Sequence, residues 1–206
     1  MAIQPNDERS PEQEPGKAIQ TIPFGKVLAR IYRNVSQKDG VYYRVKFFRQ
    51  ESDGEKEWLA KSFFHEDMVS VAKAATASYI WLVDNTDYVP TSVLSVVAKF
   101  GRVDESGENS PVHEVQVGNV LASVWENTSR AGNLYHKVSF RRGENLGSEV
   151  WFWNNFRPED LSHVAQAATS CRMWFGEMRS GFQRNDVKSE GEKNRPAKRK
   201  PRRAAK

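Results

Sequence analysis

Residues 25–50 read GKVLARIYRNVSQKDGVYYRVKFFRQ, and residues 118–143 read GNVLASVWENTSRAGNLYHKVSFRRG. The similarity continues without a gap to residue 82 in the first copy and to residue 175 in the second, at a constant offset of 93 residues. Self-similarity at one fixed spacing is typical of a duplicated structural unit. Any function proposed for this chain therefore has to account for two copies.

The composition allows two small domains and narrows the classes of protein. The chain has 206 residues, of which 38% are hydrophobic, so two cores of about 65 residues each are feasible. Its single cysteine, Cys171, argues against a disulfide framework and a paired-cysteine metal site, and favours a reducing, cytoplasmic compartment. Because no apolar run approaches the roughly 18 residues of a membrane-spanning helix, we expect no membrane partner.

Each copy first carries the signature of an antiparallel sheet. Side chains alternate between two faces over residues 26–34 and 41–50, and residues 57–63 read as a further strand. The short apolar segment at 19–24 is a candidate fourth strand. Residues 37–40 contain the Lys, Asp and Gly that are typical of a turn between two such strands.

From residue 65 the apolar period changes to that of a helix. Met68, Val71 and Ala75 fall at helical spacing, and the second copy has Pro158 at a first-turn position that suits proline. We therefore predict an α+β fold in which two tandem antiparallel β-meander-plus-helix repeats form an internal pseudo-dimer. Divided by these patterns, the chain contains a disordered N-terminal arm (1–18), repeat 1 (19–85), a linker with a short helix (86–111), repeat 2 (112–180) and a disordered basic tail (181–206).

Alternation along the strands divides the side chains of each sheet between two faces. On the face turned away from the helix, aromatic rings are interleaved with basic side chains in both copies, and we call this surface the aromatic–basic face. Its predicted members in repeat 1 are Arg30, Tyr32, Tyr42, Arg44, Lys46, Phe48 and Trp58. Its predicted members in repeat 2 are Trp125, Tyr135, Lys137, Arg141, Trp151 and Trp153.

Such a face has the chemistry of a platform for single-stranded nucleic acid. Bases stack on flat rings at roughly 1–3 kcal/mol each, while nearby cations bind phosphate. The alternative is a non-catalytic scaffold for protein interaction or oligomerisation, in which the same rings are buried between the repeats or against a second copy of the chain. Exposure of Trp58, Trp151 and Trp153 would separate the two hypotheses.

The C-terminal segment carries the positive charge of the chain. Residues 193–206 contain eight Lys or Arg and no acid, whereas residues 1–192 contain 23 basic and 26 acidic residues. A run of cations releases counterions from phosphates without reading sequence, although a solubilising end or a contact with acidic proteins or anionic membrane is the alternative. We therefore expect a non-sequence-specific nucleic-acid-binding protein that favours single strands and is cytoplasmic or associated with the nucleoid. The cations expected to contribute from the tail are Lys198, Arg199, Lys200, Arg202 and Arg203.

No motif indicates an enzyme, a cofactor or a metal site. None of the four histidines corresponds to another between the copies, and none has the spacing of a metal-ligand pair. The acids Glu66 and Asp67, repeated as Glu159 and Asp160, are interpreted as first-turn residues that the helix dipole favours. The sequence also lacks a phosphate-binding glycine loop and a nucleophile elbow.

Three motifs recur in both copies and carry a resemblance. They are an aromatic-x-Asn at Tyr32 and Trp125, Y-x-x-V-x-F-x-R from Tyr42 and Tyr135, and F-x-x-E-D-[ML] from Phe63 and Phe156. The module resembles a group of short uncharacterised bacterial proteins that carry a single copy, over residues 19–85 and 112–178. Its predicted topology resembles, more loosely, the fold shared by transcriptional positive cofactor four and the Whirly proteins. That resemblance implies binding of single-stranded DNA by dimers or by fused repeats.

Overall fold

Each repeat folds as an antiparallel sheet followed by a helix, which confirms the predicted α+β class. The structure is a computed structural model, and it describes residues 17–38, 40–90, 110–146 and 149–193. The chain divides into two compact units, Met1–Arg172 and Met173–Lys206. Most of the predicted N-terminal arm, the linker helix predicted at residues 91–100 and the tail beyond residue 193 lie outside the described residues.

Repeat 1 comprises five strands, one 3₁₀ turn and one helix. In chain order they are β1 (Gln20–Phe24), β2 (Val27–Ser36), β3 (Gly40–Ser52), β4 (Glu57–Ala60), β5 (Ser62–Phe63), the turn His65–Asp67 and α1 (Met68–Asn85). Strands β1 to β4 form one antiparallel sheet in sequence order. The apolar segment predicted at 19–24 is thus confirmed as the first strand of a four-stranded meander.

Repeat 2 follows the same order of elements, except that a single bridge residue, Phe156, stands in place of β5. They are β6 (His113–Val117), β7 (Val120–Thr128), β8 (Leu134–Leu146), β9 (Glu149–Trp153), the 3₁₀ turn Pro158–Asp160 and α2 (Leu161–Lys193). Helix α2 continues to Lys193, past residue 180, where repeat 2 is predicted to end. Residues 181–193 contain no proline, the residue that breaks helices most strongly, and the first proline after them is Pro196.

The strand predicted at residues 57–63 is divided between the two sheets. Strand β4 pairs with β3 of its own repeat, but β5 pairs with β8 of the other, with Phe63 opposite Val138. In repeat 2, Phe156 crosses in the same way and exchanges two backbone hydrogen bonds of 2.8 and 2.9 Å with Val45. The two crossings are related by the offset of the repeat, so the exchange is reciprocal. It supports the internal pseudo-dimer, which stays a prediction.

The exchanged phenylalanines fill the core beside the opposite sheet. The ring of Phe63 meets that of Phe140 edge-on at 5.9 Å between centroids, and the ring of Phe156 lies 5.6 Å from that of Phe47. Both exchanged rings are almost fully buried, and each contributes roughly 1.5–3 kcal/mol by burial. Alternate residues of the central strands are buried around them, as strand alternation predicts: Val27, Ala29, Ile31, Val45, Val120, Ala122, Val124 and Val138.

In each repeat an arginine of the central strand pairs with the aspartate of the 3₁₀ turn. In repeat 1, Asp67 accepts hydrogen bonds from Arg49 Nε at 2.7 Å and from the backbone N–H of Phe64 at 2.9 Å. In repeat 2, Asp160 caps the turn in the same way and lies 3.7 Å from Arg142 Nε. The aspartates interpreted as helix-dipole partners are therefore buried members of ion pairs, because a buried carboxylate requires charged and N–H partners.

Candidate nucleic-acid interface

Cross-strand register fixes which side chains share the aromatic–basic face. In repeat 1, Tyr32 lies opposite Arg44 and Arg30 lies opposite Lys46. Tyr42 lies opposite Asn34, two residue pairs nearer the hairpin and therefore on the same face. Residues directly opposite one another project from the same face of a sheet. The predicted set from β2 and β3 is therefore brought together.

The same register brings together the predicted residues of β7 and β8. Trp125 lies opposite Lys137, and Arg141 lies opposite Leu121. Tyr135 lies opposite Asn127, two residue pairs nearer the hairpin and on the same face. The predicted side chains of these strands are half-buried, as are their counterparts in repeat 1. Their rings thus retain accessible surface and do not form a fully buried layer.

In repeat 1 the two tyrosine rings of the face are each paired with a cation. The guanidinium of Arg44 lies 5.2 Å from the ring centre of Tyr42, and the amine of Lys46 lies 5.5 Å from that of Tyr32. Cations at this distance are attracted by the quadrupole of the ring. A base stacked on either ring would therefore have a cation within reach of its phosphate.

Repeat 2 presents a more polar version of the face. Trp125 Nε1 donates a hydrogen bond to Ser139 Oγ at 3.0 Å, and the hydroxyl of Ser123 donates one to Glu114 at 2.7 Å. The two serines take the positions that two cations occupy in repeat 1, and the carboxylate of Glu114 adds a negative charge. The aromatic–basic face of repeat 2 therefore carries less positive charge than that of repeat 1.

Three tryptophans predicted for the face lie on the helix side of the sheets. Trp58 lies opposite Glu51, Trp151 opposite Glu144 and Trp153 opposite Arg142. The side chains of these three partners project from the helix side of their sheets. The prediction for these three residues is wrong because the length of the hairpin loop before each strand sets its register, and hence its face. Trp58 and Trp151 are 47% and 41% exposed, but on the wrong side to join the predicted platform.

The face also contains Arg30 and Phe48, as alternation predicts, and Phe152, which was not predicted there. Arg30 lies 5.5 Å from the ring centre of Phe48. Arg141, a predicted residue, lies 4.7 Å from the ring centre of Phe152. Phe152 lies between Trp151 and Trp153 in β9. Arg30 and Phe48 follow from alternation within β2 and β3. Phe152 follows from counting residue pairs outward from the hairpin loop, so both signals were present in the sequence.

The crossing segment of repeat 1 adds a further ring to the face of repeat 2. The ring of Phe64 lies 6.1 Å from that of Tyr135. The amine of Lys137 lies 5.6 Å from the ring centre of Phe64 and 5.9 Å from that of Tyr135. The guanidinium of Arg49 also lies against Phe64, 4.4 Å from its ring centre. No periodic pattern predicts this cluster, because it depends on the passage of the chain from one repeat to the other.

The phosphate-binding residues predicted in the tail lie outside the described residues: Lys198, Arg199, Lys200, Arg202 and Arg203. Within the described ranges, no three His, Cys, Asp or Glu side chains gather as metal ligands would. No helix in those ranges has both the length and the apolar composition to span a bilayer.

Comparison of the chain with protein-family models finds no match, and comparisons with curated proteins and with solved structures find none either. The resemblance to a single-copy bacterial module, and to the fold of positive cofactor four and the Whirly proteins, therefore stays a prediction.

Proposed function

We propose that the chain binds single-stranded nucleic acid without sequence preference, through the aromatic–basic faces of its two repeats. The observation that carries the proposal is the pairing of ring and cation on one face of repeat 1, Lys46 with Tyr32 and Arg44 with Tyr42. Stacking on such a ring accepts every base, because every base has a π-face. Stacking combined with phosphate contact therefore favours single strands without favouring a sequence.

The distribution of charge supports two separate contributions to binding. Residues 19–187 contain 20 basic and 20 acidic residues, so the folded part attracts phosphate only locally. The tail beyond residue 193 carries an excess of cations, each of which adds to the salt dependence of binding. We therefore assign stacking to the faces and electrostatic attraction to the tail, in a cytoplasmic protein that can associate with the nucleoid.

The test compares two pairs of aromatic substitutions in the full-length protein. Tyr42→Ala with Tyr135→Ala removes one ring from each aromatic–basic face, while Trp58→Ala with Trp151→Ala removes two exposed rings from the helix side. In a titration with fluorescently labelled oligothymidylate, the tyrosine pair should weaken binding by roughly 2–6 kcal/mol in total. The tryptophan pair should leave the affinity unchanged.

Thermal melts of the same variants separate binding from folding. Because Tyr42 and Tyr135 are half-buried, their joint removal should lower the free energy of unfolding by no more than about 3 kcal/mol. An unchanged affinity per folded molecule in the tyrosine pair would refute the stacking platform.

Deletion of residues 194–206 tests the contribution of the tail. This segment contains seven Lys or Arg. Each lost contact with a single strand flattens the slope of log affinity against log salt by roughly 0.7, so the slope should fall by several units. An unchanged slope would show that the tail does not contact nucleic acid, and would leave the tyrosine comparison unaffected.

A second candidate function is a protein-interaction scaffold, and a groove between α1 and α2 favours it. The groove has a volume of about 670 Å³ and is lined mainly by small and apolar side chains, among them Ala72, Ile80 and Ala165. Ile80 is 52% exposed. If the groove binds a second copy of the chain, sedimentation should show an oligomer that Ile80→Glu dissociates, whereas an oligomer formed through the aromatic–basic face would be dissociated by Tyr42→Ala. A monomer that binds oligonucleotide would exclude both forms of this candidate.

A further inference from the structure

The two crossings between the repeats occupy equivalent positions, but the residue after the exchanged phenylalanine differs in kind between them. Residues that flank an antiparallel pair also lie opposite one another. In the crossing of repeat 1, Lys137 therefore lies opposite Phe64. In the crossing of repeat 2, Arg44 lies opposite Arg157. The first crossing thus pairs a cation with a ring, and the second pairs two cations.

A third arginine, Arg142, completes what we call the arginine junction of Arg44, Arg142 and Arg157. Arg142 Nη2 and Arg157 Nη2 donate hydrogen bonds to different oxygens of Glu144, at 3.0 and 2.8 Å. Arg142 Nε also lies 3.7 Å from a carboxylate oxygen of Asp160. These contacts engage two of the arginines and both carboxylates. Arg44 Nη1 is buried and has no hydrogen-bond partner among the described residues.

The arginine junction has more positive charge than its carboxylates balance. Burial, together with the nearby Arg142 and Arg157, lowers the pKa of Arg44 below its ordinary value. Burial also opposes ionisation of Glu144, but attraction by Arg142 and Arg157, a hydrogen bond from Arg142 and attraction by Arg44 together outweigh it and lower the pKa of that carboxyl. Like charges opposite one another destabilise a sheet, and a buried charged N–H without an acceptor is costly. An anion between the arginines would relieve both effects.

We propose that the arginine junction binds a phosphate group, either free or within a nucleic-acid backbone. Guanidinium groups carry paired N–H donors that match the oxygens of phosphate. Arg44 also belongs to the aromatic–basic face and lies against the ring of Tyr42, so a nucleotide stacked there would have its phosphate close to the junction. The choice of the nucleic-acid backbone as the source rests on the proposed function, whereas the binding of phosphate does not.

The crossing of repeat 1 provides an internal control. The ring of Phe64 stands in place of the third arginine, and both Arg49 and Lys137 lie against it. Arg49 is paired at 2.7 Å with each of two carboxylates, Glu51 and Asp67. In this crossing Arg49 is therefore already paired with acids, which leaves Lys137 as a single cation, and we expect no site there that gathers several guanidinium groups around one phosphate.

Thermal unfolding of the full-length protein in inorganic phosphate tests the proposal. With ionic strength held constant by chloride, the Tm should rise by about 3–5 °C for each tenfold increase of phosphate above its Kd. Arg157→Phe, which copies the residue of repeat 1, and Arg44→Gln should each abolish that rise. Lys61→Gln, which removes an exposed cation just before the crossing of repeat 1, should retain it.

These variants should remain folded. Arg157→Phe keeps the backbone N–H that Asp160 accepts but loses the hydrogen bond from Arg157 Nη2 to Glu144, and Arg44→Gln removes one of two opposed charges, so neither should lower the Tm in phosphate-free buffer by more than about 2–4 °C. An equal response to phosphate in all four proteins would overturn the proposal, because exclusion of phosphate from the surface raises the Tm of any protein. Absence of a rise in the unsubstituted protein would overturn it as well.

A titration with a labelled oligodeoxynucleotide identifies the source of the phosphate. If the backbone occupies the junction, Arg157→Phe should weaken oligonucleotide binding by at least roughly tenfold, and inorganic phosphate should compete with the strand. If Arg157→Phe loses only the phosphate-induced rise in Tm, the junction binds free phosphate, and the proposal stands. The Tm measurement contains no nucleic acid, so failure of the stacking test and failure of this inference are distinguishable.

Discussion

The residue after the exchanged phenylalanine is Phe64 in repeat 1 and Arg157 in repeat 2. Around Phe64, two cations lie against an aromatic ring, and the central arginine is paired with two carboxylates. Around Arg157 lie three arginines and two carboxylates, and the carboxylates pair with only Arg142 and Arg157. The backbone crossing is the same in both repeats, so a difference of one residue type turns an aromatic contact into a cationic one.

A similar division runs through the two sheets. Many of the residues that are identical in both copies are buried, such as Val27, Ala29, Val45 and Phe47 with their counterparts. On the aromatic–basic face, by contrast, cations of repeat 1 are replaced by serines in repeat 2. The framework is therefore shared while the surface chemistry differs, and we expect the two repeats to contribute unequally to the binding of a ligand.

The exchanged phenylalanines should give the largest effect on stability. Phe63→Ala and Phe156→Ala each remove a buried ring that packs beside the other repeat's sheet, so each should lower the free energy of unfolding by about 3–5 kcal/mol in urea titrations. Phe48→Ala, a half-buried ring of the aromatic–basic face, is the control and should lower it by less. A loss under about 1 kcal/mol for either exchanged ring would contradict the reciprocal packing.

The two equivalent glycines between the first and second strands of each repeat should respond differently to a methyl group. Gly25 and Gly118 have φ of +58° and +53°, which costs alanine about 1–2 kcal/mol at either position. A Cβ at Gly118 would also clash with the imidazole of His163, whereas at Gly25 the nearest atom is the hydroxyl of Ser70 at 3.8 Å. Gly118→Ala should therefore destabilise the protein by about 1–3 kcal/mol more than Gly25→Ala.

The glycine comparison has an internal rescue, because His163 and Ser70 are equivalent positions. Combining Gly118→Ala with His163→Ser should reduce the loss to that of Gly25→Ala in thermal or urea unfolding. If the double variant were as unstable as Gly118→Ala alone, the imidazole would not be the cause of the difference.

The smallest effect is expected at Cys171, whose counterpart in repeat 1 is Ser78. Both side chains are fully buried, and the hydroxyl of Ser78 donates a hydrogen bond of 2.7 Å to the carbonyl of Ala74 one helical turn earlier. Cys171→Ser should make the equivalent bond and change the free energy of unfolding by less than about 1 kcal/mol. Destabilisation above about 2 kcal/mol would mean that the two helices are not equivalent at this position.

Burial also raises the pKa of the Cys171 thiol to about 12. Only the thiolate reacts with alkylating reagents, so the folded protein should resist them at neutral pH and react once it is unfolded. Alkylation can be monitored by mass spectrometry, and rapid modification of Cys171 in the folded chain would contradict the burial of this helix face.

The sequence predicted the strands, the hairpins and the start of each helix, because all of these have local signals. Turn residues and alternation fix β2 and β3, and the change of period at residue 65 marks the helix that follows. The crossing of β5 and of Phe156 between repeats could not be predicted, because a pairing of one or two residues has no periodicity and its partner is distant in the chain. The Arg49–Asp67 ion pair was missed for the same reason, although both residues recur in the second copy.

The candidate site was predicted for the long strands and not for the short ones. Tyr32, Tyr42 and their cations lie where alternation places them. Trp58 was assigned to the wrong face because its short strand was treated apart from the hairpin that sets its register. Phe64 and Arg157 carry no signal at all until the crossings are known, since their importance comes from the side chains opposite them.

Photocrosslinking would locate a bound strand most directly. The full-length protein is irradiated with an oligodeoxynucleotide in which iodouracil replaces thymine, and the crosslinked peptides are identified by mass spectrometry. We expect crosslinks at Tyr42 and Tyr135, the rings placed beside cations on the two aromatic–basic faces. Crosslinks confined to residues 194–206, or to Trp58 and Trp151 on the helix side, would contradict the proposed platform.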